Sequence, residues 1–264
     1  MKTKLLLIAL LAFGFTSCLD NVAASKKNQD NITEEKNEDF KFWVWTTADA
    51  KRADSSYTSE FKKYSENGIE AVLINTNTDP ELLSRITPLA KKEGLEVHAW
   101  IMAMNRPGDS VALQHPEWYT VSREGNSTHD TRPYVDYYQW LCPTREESRN
   151  HVLGLVEGLA KVEGVASVHL DYIRFSDIFL PIGMEWKQFR LNKIKAVVDD
   201  AYEIAHENNK DLTAAVFPYP EMADHMVRQR WDKWKVDAVL PMIYHNFYNE
   251  EVDWIGFATK QGVE

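Results

Sequence analysis

A closed (β/α)8 barrel is the fold class this sequence predicts, on three observations. Strand-like and helix-like stretches alternate about six times after residue 39, which means a parallel sheet wrapped by helices. A doubly wound sheet shares that alternation, but no glycine-rich phosphate loop follows the first strand. Polar or aromatic residues stand at several strand ends, and a barrel carries its reactive groups at the C-terminal rim of its strands.

The elements follow in order. Residues 40–48 (FKFWVWTTA) read as a strand, and 56–68 as an amphipathic helix closed by Asn67-Gly68. Residues 69–76 make the second strand. The helix over 79–94 has Asp79 as cap, Pro80 in its first turn and Gly94 at its end, with Pro88 as a candidate kink. Residues 95–104 are the third strand. The connection from Asn105 to Pro143 exceeds the usual βα loop and reads as a functional excursion. A helix over 143–164, the fourth strand in the stretch 165–177 and a long helix over 184–210 come next. Residues 211–221 and 238–248 are the fifth and sixth strands, with helices over 223–237 and 250–262. A barrel needs eight units and roughly 250 residues. The chain is therefore expected to lack its last two βα units, Glu264 being a cut.

Before residue 39 the chain reads differently. Lys2 and Lys4 precede an apolar run from Leu5 to Phe15, too short to span a membrane, and Thr16-Ser17-Cys18 closes it. Residues 1–18 look like a bacterial lipoprotein signal, which implies lipidation of Cys18; an ordinary signal peptide with an incidental Cys18 is the alternative. Residues 19–38 are polar and aperiodic and read as a flexible tether, leaving 39–264 as the folded domain. The expected location is the bacterial cell envelope, periplasm or outer membrane, with the membrane met through the lipid alone.

Composition narrows the function. The chain is 44% hydrophobic and 27% charged, as a globular domain should be, and its net charge is −10. Without a basic run, a nucleic-acid role is unexpected. Aromatics reach 12%, with 9 Trp, a supply that suits flat, apolar-faced ligands such as sugars. His98, His115, His129 and His151 lack metal-ligand spacing, no G-x-S-x-G elbow is present, and Cys142 has no His near it in sequence. No metal or cofactor is expected.

The stretch VASVHLDYIRFSD, 165–177, carries the chemistry. Side chains alternate along a strand, so Val168 and Leu170 should face the helices while Ser167, His169 and Asp171 point inward. An ionised carboxylate is costly in an apolar run. At the open end of a barrel strand it becomes a reactive group, with Arg174 just beyond. The competing reading is an Asp171–Arg174 pair that ties down a loop. His169 reads as a satisfied interior histidine able to orient Asp171.

HPEW at 115–118, WLCP at 140–143 and VHLDYIRF at 168–175, with LEVHAWI at 95–101 and PMIY at 241–244, resemble the glycosyl-hydrolase-like family 10 group, the DUF187 proteins. Ala166-Ser167, where that family has Asp-Gly, and Cys142, where it has Asn, are departures. The resemblance implies a (β/α)8 barrel, export, and hydrolysis of glycosidic bonds, for some members in peptidoglycan glycan strands. Asp171 matches the motif aspartate.

Glycoside hydrolysis generally uses two carboxyl groups. Asp171 is the candidate nucleophile or base. Glu221, after the fifth strand, is the candidate acid, or else a first-turn acid of the next helix. Trp45, Asn75, Trp100, Asn105, Tyr244 and His245 fall near strand ends and, with Arg174, are the candidates to contact an oligo- or polysaccharide. Trp118, Tyr119, Tyr134, Tyr137, Tyr138 and Trp140 could line a glycan groove in the long loop, with Trp140 equally able to plug the barrel. A barrel that binds glycan without cutting it, or one of different chemistry, fits the same residues.

Overall fold

The structure is a computed structural model and describes residues 4–5, 41–122, 124–131, 135–176 and 184–263. Cys18, the leader apart from Lys4 and Leu5, the tether, Tyr134 and Asp177 lie outside the described residues.

Six parallel strands follow one another across a curled sheet: β1 (Phe42–Thr47), β2 (Ile69–Asn75), β3 (Glu96–Met102), β4 (Ser167–Asp171), β5 (Asp211–Val216) and β6 (Ala238–Pro241). Lys4–Leu5 pairs in parallel with Ala238 and Val239 at the β6 edge. The helices α1 (Asp54–Glu66), α2 (Pro80–Lys92), α3 (Glu146–Ala160), α4 (Met184–Glu207) and α5 (Pro220–Val227) supply the crossovers, and α6 (Asp253–Val263) follows β6. The curled α/β sheet resembles glycoside hydrolase barrels, and the described residues make six strands of it besides Lys4–Leu5.

Alternation along the strands sorts the side chains into two faces. Val72, Ile74, Val97, Ala99, Ile101, Val168, Leu170, Leu212, Ala214, Val216 and Val239 join the apolar core shared with the helices. The opposite face carries polar and aromatic groups. There Trp43 packs on His98 with ring centroids 4.2 Å apart, and His98 Nδ1 meets Ser167 Oγ. Next along, His169 Nδ1 lies 2.8 Å from Thr213 Oγ1. Such buried pairing is what lets polar groups stand inside a barrel.

Local chemistry sets the boundaries. Asp79 Oδ1 accepts the Glu81 and Leu82 N–H groups at 2.9 and 3.0 Å, capping α2, which runs through Pro88 to Lys92. Gly94, at φ +81°, takes the left-handed turn that ends it. Several expected elements end early, the fifth strand at Val216 among them. Tyr172 adopts φ +51°, a left-handed conformation that stops β4 at Asp171. Arg228, at φ +63°, ends α5 at Val227, and a short 3-10 turn, Trp231–Lys233, replaces the expected second half of that helix. The sixth strand stops at Pro241, and residues 244–249 turn instead.

The long connection after β3 is tied down by Asp109. Its Oδ1 accepts the Val111 and Ala112 N–H groups at 3.1 and 3.0 Å, and its Oδ2 meets Arg106 Nε at 2.9 Å and His151 Nε2 at 2.8 Å. Burial alone would raise this carboxyl's pKa. The bonds from His151, the Ala112 N–H and Arg106 outweigh it and hold the carboxyl far below its usual 3.8. A carboxyl depressed in the folded state contributes stability above its unfolded pKa and loses it as pH falls below that value. Unfolding free energy should therefore drop below pH 4 more steeply in the wild type than in Asp109→Asn, as urea titrations across pH would measure. Parallel slopes would remove Asp109 from the account. Among the described residues, no helix is long and apolar enough to cross a membrane.

Candidate active site

Asp171 is the last residue of β4 and lines a pocket of about 200 Å³ at the C-terminal rim of the sheet. The other walls come from the long loop (Tyr137, Tyr138), from beyond β4 (Tyr172, Arg174), from β5 and the residue after it (Ala215, Phe217), from beyond α5 (Gln229), and from beyond β6 (Met242, Tyr244, Phe247, Tyr248). Inward alternation along β4 aims the carboxylate here while Leu170 packs among the helices.

Each carboxylate oxygen has one donor. The Tyr172 main-chain N–H donates to Oδ1 at 2.6 Å, and the Trp100 indole N–H donates to Oδ2 at 3.2 Å. Burial pushes the Asp171 pKa up; the two donors and the nearby Arg174 guanidinium work against it, and burial prevails. Arg174 is itself buried. Its guanidinium lies 4.4 Å above the Trp140 ring, and it donates to the Tyr138 hydroxyl at 3.4 Å.

Three of the phenols around the carboxylate, Tyr172, Tyr244 and Tyr248, are held in the neutral form. Burial raises the Tyr172 pKa, helped by a hydrogen bond with Tyr137 and by the Asp171 charge. Burial followed by Asp171 does the same for Tyr244, and burial above all for Tyr248. A ring of O–H groups against apolar Phe217 and Met242 can donate to and accept from hydroxyls while covering a ring face.

The expected site residues divide. Asp171, Arg174 and Tyr244 meet in the pocket, and Trp100 touches it through Asp171. Glu221 does not: it stands exposed in the first turn of α5, where the helix dipole favours a carboxylate. Trp45 lies edge-on to His169, ring centroids 5.9 Å apart. Asn75 is buried and accepts the Asn77 N–H at 2.7 Å, holding the turn after β2. Asn105, also buried, accepts the Gln139 N–H at 2.9 Å and so fastens the long loop. His245 is half-buried and outside the pocket wall, its carbonyl accepting from the Glu250 N–H. His169, bonded to Thr213, is held neutral chiefly by burial and then by His98. Of the loop aromatics, Tyr137 and Tyr138 reach the pocket. Trp118 stacks on His115 at 4.1 Å, and Tyr119 and Trp140 are buried.

Sequence reasoning passed over Tyr172, Phe217, Gln229, Met242, Phe247 and Tyr248. All but Gln229 follow strand ends, which is the signal that could have found them. Gln229 fell in an expected helix. In the structure its Oε1 accepts the Phe217 N–H at 2.9 Å and its Nε2 donates to the Ile173 carbonyl at 3.2 Å, bridging two walls.

Among the described residues, one group has metal-ligand atoms close together. His206, Asp211 and Asp237 lie within 4.8 Å of one another at the N-terminal ends of β5 and β6, across the sheet from Asp171. His206 Nε2 and Asp237 Oδ2 are already paired at 2.9 Å.

A parallel curled sheet with a carboxylate and aromatic walls at its C-terminal rim is the architecture of glycoside hydrolase barrels. The chain belongs to the DUF4015 family, described as a "putative glycosyl hydrolase domain", which matches residues 22–261. The match supports the coarser expectation of a glycosyl hydrolase domain and does not show membership of the DUF187 group that the motifs resemble. No curated protein matches the sequence. Among solved structures, the glycoside hydrolase domain of PgaB (BpsB) from Bordetella bronchiseptica is similar at a TM-score of 0.62 and 12% identity, over 83% of this chain and 78% of that one. The β-galactosidase of the psychrophilic Marinomonas ef1 has a TM-score of 0.52 and 13% identity, over 67% of this chain and 37% of that one. The GH36 α-galactosidase AgaA of Geobacillus stearothermophilus has a TM-score of 0.46 and 12% identity, over 66% of this chain. The chain spans only 27% of that enzyme's length.

Proposed function

We propose that the protein hydrolyses O-glycosidic bonds in a polysaccharide or cell-wall glycan, with Asp171 as nucleophile or base. The observation that carries this is a single carboxylate at the end of β4, fixed by two donors on the wall of a tyrosine-rich pocket. Ionised, Asp171 can attack the anomeric carbon or take a proton from the attacking water as the glycosidic C–O bond breaks, the leaving oxygen gaining its proton from solvent. The neutral phenols hold sugar hydroxyls, and Phe217 covers a ring face. The reading does not lean on Glu221. It takes the curled sheet as the larger part of a (β/α)8 barrel, keeps kinship with the glycosyl-hydrolase-like family 10 proteins, and places the domain in the bacterial envelope on a lipid at Cys18.

A second reading has an observation of its own. Among the described residues Asp171 is the one carboxylate on the pocket wall, whereas glycosidases generally use a pair. A non-catalytic glycan-binding barrel would need only the aromatic walls. Reducing-end release and binding, measured together on peptide-free peptidoglycan strands and on soluble α- and β-linked oligosaccharides, separate the two. Cleavage supports the hydrolase, and binding without cleavage supports the alternative. A protein that neither cuts nor binds any of these glycans fits neither.

A further inference from the structure

Trp100, expected to contact sugar, turns its one polar atom elsewhere. On β3 it pairs in register with His169, one inward position below Asp171, and its ring reaches up to the carboxylate. An indole N–H only donates, so this contact needs an acceptor oxygen at its end. We infer that Trp100 is a positioning residue for Asp171, its indole N–H fixing Oδ2 while the Tyr172 main-chain N–H fixes Oδ1. The inference rests on the reading of Asp171 as the reacting carboxylate.

The geometry gives each donor a distinct part. The Tyr172 N–H belongs to the adjacent residue and is delivered by the left-handed backbone at φ +51° that also ends the strand. Alone it would leave the carboxylate free to swing about that single bond. Trp100 comes from the neighbouring strand, so its bond ties the carboxylate to the sheet. A carboxylate has about four lone-pair sites on two oxygens; one donor on each leaves the others for a sugar or a water. Both donors favour the ionised form and oppose the upward push of burial. Trp100 therefore holds the carboxylate in place and favours the charge state that an attacking group requires.

The test uses Trp100→Phe, which keeps an aromatic ring and removes the N–H, together with the indole 15N–H resonance of Trp100 in the wild type. In the wild type that resonance should move through one titration, and the movement should vanish in Asp171→Asn. In Trp100→Phe, kcat should fall about tenfold, the scale of one hydrogen bond to a charged group, with KM nearly unchanged. The acid limb of its pH profile should shift to higher pH. An indole resonance indifferent to residue 171, or a Trp100→Phe enzyme with an unshifted acid limb, overturns the inference. A wild type that cuts no glycan overturns the hydrolase reading instead, and the indole titration then still decides whether Trp100 grips Asp171.

Discussion

Asp171→Asn should lower glycan hydrolysis about 10²- to 10⁴-fold, the range spanned by loss of a positioned acid or base, while glycan binding persists. The amide matches the carboxylate in size but keeps one acceptor oxygen, enough for the Tyr172 or the Trp100 donor and not for both, so the pocket should hold its shape with one hydrogen bond lost. What goes is the negative charge that attacks or activates water. Stability should change little. Burial raises the Asp171 pKa, and an acid raised in the folded state destabilises that state once pH passes its unfolded value. Near neutral pH relief of that penalty offsets the hydrogen bond lost at the amide nitrogen, and the variant should melt close to the wild type. Kinetics with thermal melts would check both halves. Unchanged turnover would remove Asp171 from the mechanism, and a large fall in melting temperature would make it a structural group.

Trp140→Ala is the second large effect. Trp140 is fully buried, and its ring meets Tyr138 and Tyr172 at centroid distances of 5.2 and 5.7 Å with the Arg174 guanidinium above it. Truncating a buried tryptophan typically costs about 3–5 kcal/mol through lost transfer energy and the remaining cavity. The stacked cation of a desolvated pair adds to that. Three pocket residues stand on this ring, so activity should fall along with stability. Trp140→Phe, which keeps a smaller platform, should recover part of both. Urea unfolding gives the stability term; a loss near zero would mean that Trp140 is not the base of the pocket wall.

How far the sequence carried the fold depends on the kind of signal. β-branched and apolar alternation located all six strands, and Asp79, Pro80 and Gly94 bounded α2 because capping and left-handed turns are written in single residues. The early stops at Tyr172 and Arg228 were hidden. Neither is a glycine, and a left-handed conformation at such a residue is imposed by tertiary contacts. The site divides in the same way. Asp171 was legible because a carboxylate in an apolar run is costly to bury, and a strand end at the open rim is where that cost is met by reactivity. Asn75 and Asn105 sit at strand ends too, yet their amides hold main-chain N–H groups. Trp100 was placed near the site without its bond to Asp171, since a strand-end tryptophan reads alike whether its N–H faces a sugar or a carboxylate. Gln229 reaches the pocket only because α5 breaks, which no local pattern announced.

The central claim is that a sugar's anomeric carbon comes to Asp171. The most direct measurement is a crystal structure of Asp171→Asn soaked with whichever oligosaccharide the wild type cuts or binds. The account predicts a sugar ring among Tyr137, Tyr172 and Tyr244 with its anomeric carbon beside the residue 171 side chain. A saccharide held only on the outer surface, with this pocket empty, would contradict it.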